Sequence, residues 1–114
     1  MKRVYEKPAE KDGERILVDR IWPRGLSESA AQIDEWAHNI APTTTLRKWY
    51  NHQPEHWKEF VKLYRHELSK NKEVENFIND HKNSKLLTLL FATKDPELSH
   101  ASILKKYLED HFPD

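Results

Sequence analysis

The apolar positions of this chain follow two kinds of pattern. Between residues 54 and 70, Trp57, Phe60, Val61, Tyr64 and Leu68 recur at i, i+3, i+4, i+7 and i+11, the stripe of an amphipathic helix. Residues 72–82 repeat it with Val74, Phe77 and Ile78, and residues 99–112 with Ala101, Leu104, Leu108 and Phe112. Two stretches barely alternate. Ile16, Leu17 and Val18 form a compact aliphatic run, and residues 85–93 carry Leu86, Leu87, Leu89, Leu90 and Phe91; both read as strands buried on two faces. Residues 2–5 give a short β-like start, and the charged stretch 7–14, with Pro8 and Gly13, reads as a loop. Ser27 caps a short helix through Ala31, residues 33–36 fit strand or helix, and Pro42 with Thr43 opens a helix through Trp49. Strands separated by helices predict an α/β fold: one domain over residues 1–114, with a mixed or parallel sheet flanked by helices. Neither strand is followed by the Asn-Gly or Asp-Gly turn of a tight hairpin.

Composition narrows the chemistry. Only two of the 114 residues are glycine, where roughly eight would be average. Gly13 and Gly25 stand alone, which removes dinucleotide turns, phosphate loops and nucleophile elbows. There is no cysteine, hence no disulfide, iron–sulfur cluster, thiolate zinc site or thiol nucleophile. No apolar run approaches the roughly 18 residues of a membrane span, and the N-terminal stretch has no signal-peptide core. A cytoplasmic protein with no cofactor is expected. Nineteen basic residues balance 19 acidic ones, which argues against a dedicated nucleic-acid binder.

Open α/β sheets bind ligands beyond the carboxyl ends of their strands, and two strand ends here are rich in functional groups. One offers Asp19, Arg20, Trp22 and Arg24, the other Thr93, Lys94, Asp95, Ser99 and His100. Parallel neighbouring strands would bring them together, with Arg47 within reach from the helix that Thr43 opens. The expected site is an anion pocket: Arg20, Arg24 and Arg47 hold phosphate or carboxylate through planar forks, Asp19 and Trp22 complete the binding set, and Asp95 and His100 are the candidate proton-transfer groups. A bland reading stands beside it. Asp19 and Arg24 would then form internal ion pairs, Trp22 would pack in the core, and Asp95 would cap a helix ahead of Pro96 and Glu97. Trp36, Trp49 and Trp57 read as core. His52 and His56 have metal-like spacing, but Pro54 interrupts any helix between them, and no metal site is expected.

The segments KRVYE, GERILVDRIWPRGLS, IDEWAHNIAPTTTLRKWYNHQPEHWKEFVKLYRHEL and LLTLLFATKDPELSHASILKKYL together resemble the YeaO-like branch of the domain-of-unknown-function 488 family. The first signature takes in Asp19, Arg20, Trp22, Pro23, Arg24 and Gly25. The second takes in Trp36, Pro42, Leu46, Arg47, Trp49, His52, Trp57, Phe60 and Tyr64, and the last Leu89, Leu90, Ala92, Asp95 and His100. The resemblance implies a small cytosolic α/β protein and brings no reaction with it. The family often has asparagine where this chain has Ser99. A more distant branch has a cysteine nearby, so thiol chemistry does not transfer. The resulting expectation is a binder of a small anionic ligand, with or without catalysis; the alternative is a nucleic-acid or protein interaction module.

Overall fold

The two aliphatic runs form the centre of a four-stranded sheet. In the computed structural model, which describes residues 1–112, the strands are β1 (Lys2–Arg3), β2 (Glu14–Leu17), β3 (Glu35–Trp36) and β4 (Leu87–Phe91). Their order is β1-β4-β2-β3 and every pairing is parallel. The fold is therefore α/β with a parallel sheet. In the central pair Ile16 sits opposite Leu89 and Leu17 opposite Leu90, and the ladder continues as Val18 N–H donates to the Leu90 carbonyl at 3.0 Å.

Five helices accompany the sheet: α1 (Glu28–Ala31), α2 (Thr44–Tyr50), α3 (Trp57–Lys70), α4 (Lys72–His81) and α5 (His100–His111). They cover it unevenly. Ile16, Val18, Leu89 and Phe91 face the main core, built with Phe60, Tyr64, Leu68, Val74, Phe77, Leu104 and Leu108 from the long helices. Leu17 and Leu90, pointing the other way, meet Val4 and are covered by Trp22, Leu26 and Ile33 from the connection between β2 and β3. Burial on both faces explains why these strands read as continuous aliphatic runs.

The helical stripe holds as expected, with Phe60, Tyr64 and Leu68 buried and Trp57 and Val61 packed at the margin. Residues 54–56 form a 3₁₀ turn before α3 begins. Tyr50 stacks on Phe60 with centroids 4.4 Å apart, and the buried Tyr64 hydroxyl donates to the Ile40 carbonyl at 2.7 Å. Glu67 joins α3 to the start of α2, accepting from the Thr43 amide at 3.1 Å and its hydroxyl at 2.6 Å. Thr43 in turn caps Leu46.

Three expectations change. The stretch 7–14 is not all loop: it contains a 3₁₀ turn at Glu10–Asp12 and the first residue of β2. Trp49 is 44% exposed, because Leu46 and Tyr50 fill the inner face of α2 and Trp49 packs outward on His56. Trp36 is 39% exposed on edge strand β3. It lies edge-on to Trp22 at 5.4 Å and donates its indole N–H to the Asp19 carbonyl at 2.7 Å.

The two glycines make a sharp comparison. Gly13 has φ +65°, and a Cβ there would lie 2.6 Å from the Leu86 carbonyl oxygen; Gly25 has φ +75° with nothing within 4 Å. Gly25→Ala should cost about 1–2 kcal/mol from positive φ alone. Gly13→Ala should cost clearly more, since backbone must also move. Urea unfolding of both variants checks this, and equal losses would contradict it.

Candidate functional site

The chain leaves β2 toward β3 on one side of the sheet and returns to β4 on the other, so the carboxyl ends of β2 and β4 flank a topological switch point. Such a crevice is where open α/β sheets bind ligands. Here it is a cleft of about 920 Å³, walled by residues 19–21, by 92–95 and Leu98, and by the end of α2 with Pro54 and Phe60. Asp19, Arg20, Arg47, Asp95 and His100 all line it. Trp22 and Arg24 do not.

Where the ladder ends, side chains take over its work. Asp19 Oδ2 accepts from the Ala92 amide at 3.1 Å, and His100 Nε2 lies 2.8 Å from the Val18 carbonyl. A carbonyl can only accept, so Nε2 carries the proton. The same nitrogen is 3.4 Å from Asp19 Oδ1, a buried oxygen with no hydrogen-bond partner among the described residues. Burial raises the Asp19 carboxyl above its ordinary range, against the opposing pull of His100, the Ala92 amide and Arg47. Burial also lowers the His100 imidazole, with Asp19 and the Val18 carbonyl opposing and Arg47 reinforcing. Loss of water thus favours the neutral form of each partner.

The remaining candidates divide by what they touch. Arg20 is tied to backbone, donating from Nε to the Pro42 carbonyl at 2.8 Å and from Nη2 to the Ala41 carbonyl at 3.0 Å. Asp95 accepts from the Glu97 amide at 3.0 Å, capping the 3₁₀ turn Pro96–Leu98. Arg47 makes no ion pair or side-chain hydrogen bond among the described residues, although its charge is felt by both Asp19 and His100. Trp22 packs against the second, smaller core and donates to the Leu26 carbonyl at 2.8 Å. Arg24 is exposed, and its carbonyl accepts from the Tyr5 hydroxyl at 2.9 Å. The expected ion pair between Asp19 and Arg24 is absent among the described residues, and Asp19 faces His100 instead.

His52 lines the cleft, whereas His56 packs on Trp49. Among the described residues no three His, Asp or Glu side chains gather into a metal-binding cluster.

The sequence profile of the inactive DUF488-N3 subclade matches residues 1–114. The chain belongs to this family. It is 36% identical over 107 residues to the uncharacterised protein YeaO of Escherichia coli strain K12, covering 94% of this chain and 93% of that protein. It is 37% identical over 106 residues to an uncharacterised protein of Mycobacterium tuberculosis strain H37Rv, covering 93% and 89%. No solved structure matches.

Within this DUF488-N3 member, Ser99 caps α5 by accepting from the Ala101 amide at 3.1 Å. Serine and asparagine are comparable caps, so either would serve at this helix start. Lys48, Lys94 and Ile21 also line the cleft; the sequence put Lys94 among the groups at the end of β4 but not in the expected binding set, and did not single out Lys48 or Ile21. Lys94 stood in the segment after β4 and Lys48 beside Arg47, so adjacency was their only signal.

The buried pair carries a pH signature. A histidine lowered in the fold is protonated first in the unfolded chain, so its contribution to stability is lost as pH drops below its ordinary value of about 6.5. Asp19, raised in the fold, acts oppositely as pH falls through its own range. Stability should therefore fall from about pH 7.5 to about 5.5, and His100→Gln, which keeps an N–H donor, should flatten that fall. Urea midpoints across this range decide it; an unchanged slope in the variant would contradict the assignment.

Proposed function

We propose that this protein binds a small phosphate- or carboxylate-bearing ligand in the cleft at the ends of β2 and β4 and does not transform it. One observation carries the reading. In a chain whose charges balance, Arg47, Lys48 and Lys94 line a single cleft and make no ion pair or side-chain hydrogen bond among the described residues. Of the two carboxylates that share the cleft, Asp19 is turned to the Ala92 amide and His100, and Asp95 caps the turn at Pro96–Leu98. The cleft volume falls within the roughly 300–1,000 Å³ of small-molecule sites.

Absence of turnover is supported by how the polar groups are spent. His100 Nε2–H is committed to a backbone carbonyl, Arg20 is clamped to two others, and no thiol exists. The description of the subclade as inactive points the same way. Arg47, Lys48 and Lys94 share one cleft, and the balanced overall charge disfavours a polyanion such as nucleic acid. No helix among the described residues is long and apolar enough to cross a membrane, and we assign the protein to the cytoplasm.

Sulfate tests the site, because it stays dianionic across the working pH. Calorimetric titration should give saturable one-site binding. Arg47→Ala, at an exposed position, should remain folded and weaken binding roughly 10- to 100-fold, the loss of one charge-assisted contact. Wild-type affinity in the folded variant would place the anion elsewhere.

A further inference from the structure

The cleft has a second character besides its cations. Ile21, 62% exposed, is the most exposed large apolar side chain of the described residues, and it sits on the lip of this cleft. Pro42, Tyr50, Pro54, Phe60 and Leu98 add apolar lining to the same cleft. A ligand with an apolar face laid against this side chain would remove apolar area from water. Tyr50 is nearly buried against Phe60, yet its hydroxyl makes no hydrogen bond among the described residues, which leaves a polar handle on the apolar side.

Size points the same way. An inorganic phosphate occupies roughly 90 Å³, about three waters at ~30 Å³ each, a small part of a cleft of about 920 Å³. The anion alone would leave the apolar wall wet. Three uncommitted cations also match a dianion better than a single carboxylate.

Resting on the anion-binding reading above, we infer that the ligand is a phosphate monoester carrying a flat apolar group, which lies against Ile21 while the phosphate meets Arg47, Lys48 and Lys94. Phosphate supplies the charge and the ring covers the wall. Burying a ring of phenyl size is worth about 10- to 100-fold in affinity.

The test compares phenyl phosphate with inorganic phosphate by calorimetry at pH 7.5, in wild type and in Ile21→Ser. Position 21 is exposed, so the substitution leaves the core untouched. Phenyl phosphate should bind about tenfold or more tighter to wild type. Ile21→Ser should remove most of that advantage while leaving inorganic phosphate affinity unchanged. Equal affinities for the two ligands in wild type would overturn the inference and leave the anion site standing, as would an advantage fully retained in Ile21→Ser. If neither ligand binds, the anion-binding reading itself fails, and this inference with it.

Discussion

Everything distinctive about this molecule depends on the parallel pairing of β2 with β4. These two strands are buried on both faces, and no turn joins them; the chain must travel through β3 and four helices, α1 to α4, before β4 docks beside β2. Because both run in the same direction, both of their following segments emerge at one edge of the sheet. Beyond Val18 the backbone ladder stops, and the gap is closed by side chains: Asp19 on the Ala92 amide, His100 on the Val18 carbonyl. The cleft is the space those bridges hold open.

Charge is spent in two ways around that frame. Much of it does structural work. Arg15, only 4% exposed, is paired with Asp12 and donates to the Ala31 and Gln32 carbonyls. Lys2 reaches the same Asp12 at 3.1 Å. Burial pushes that carboxyl up, but the Ala9 amide, Lys2 and Arg15 outweigh it and hold Asp12 below its ordinary range. His81 sits between Glu14 at 3.1 Å and Glu35 at 2.7 Å, tying α4 to the two strands. Arg47, Lys48 and Lys94, at the cleft, belong to the cations that make no such pairing among the described residues. A net charge of zero conceals the difference between charge used to build the fold and charge left over.

The helices were legible because their periodicity is a physical consequence of one buried face, and the central strands because two-sided burial leaves no alternation. The meeting of the two strand ends also followed, once the strands were taken as parallel. Other features were not encoded in spacing. Arg20 and Arg24 lie close in sequence, yet they part in space: Arg24 lies outside the cleft, while Arg20 turns onto backbone carbonyls. Trp36 and Trp49 look like core residues by type, but an edge strand and a short helix each have an outward face, and type alone does not say which residue occupies it. Nothing in the sequence marks Arg15 and Asp12 for burial, because charged residues usually face solvent; their mutual pairing, and the carbonyls at the end of α1, are tertiary facts.

The central claim is that the ends of β2 and β4 form one anion-responsive site. Backbone amide spectra recorded during a sulfate titration test it directly. The account predicts saturable shifts with one common affinity, concentrated in residues 19–21, 47–52 and 92–100. Shifts that grow without saturation, or that scatter over exposed lysines elsewhere while these segments stay still, would contradict it.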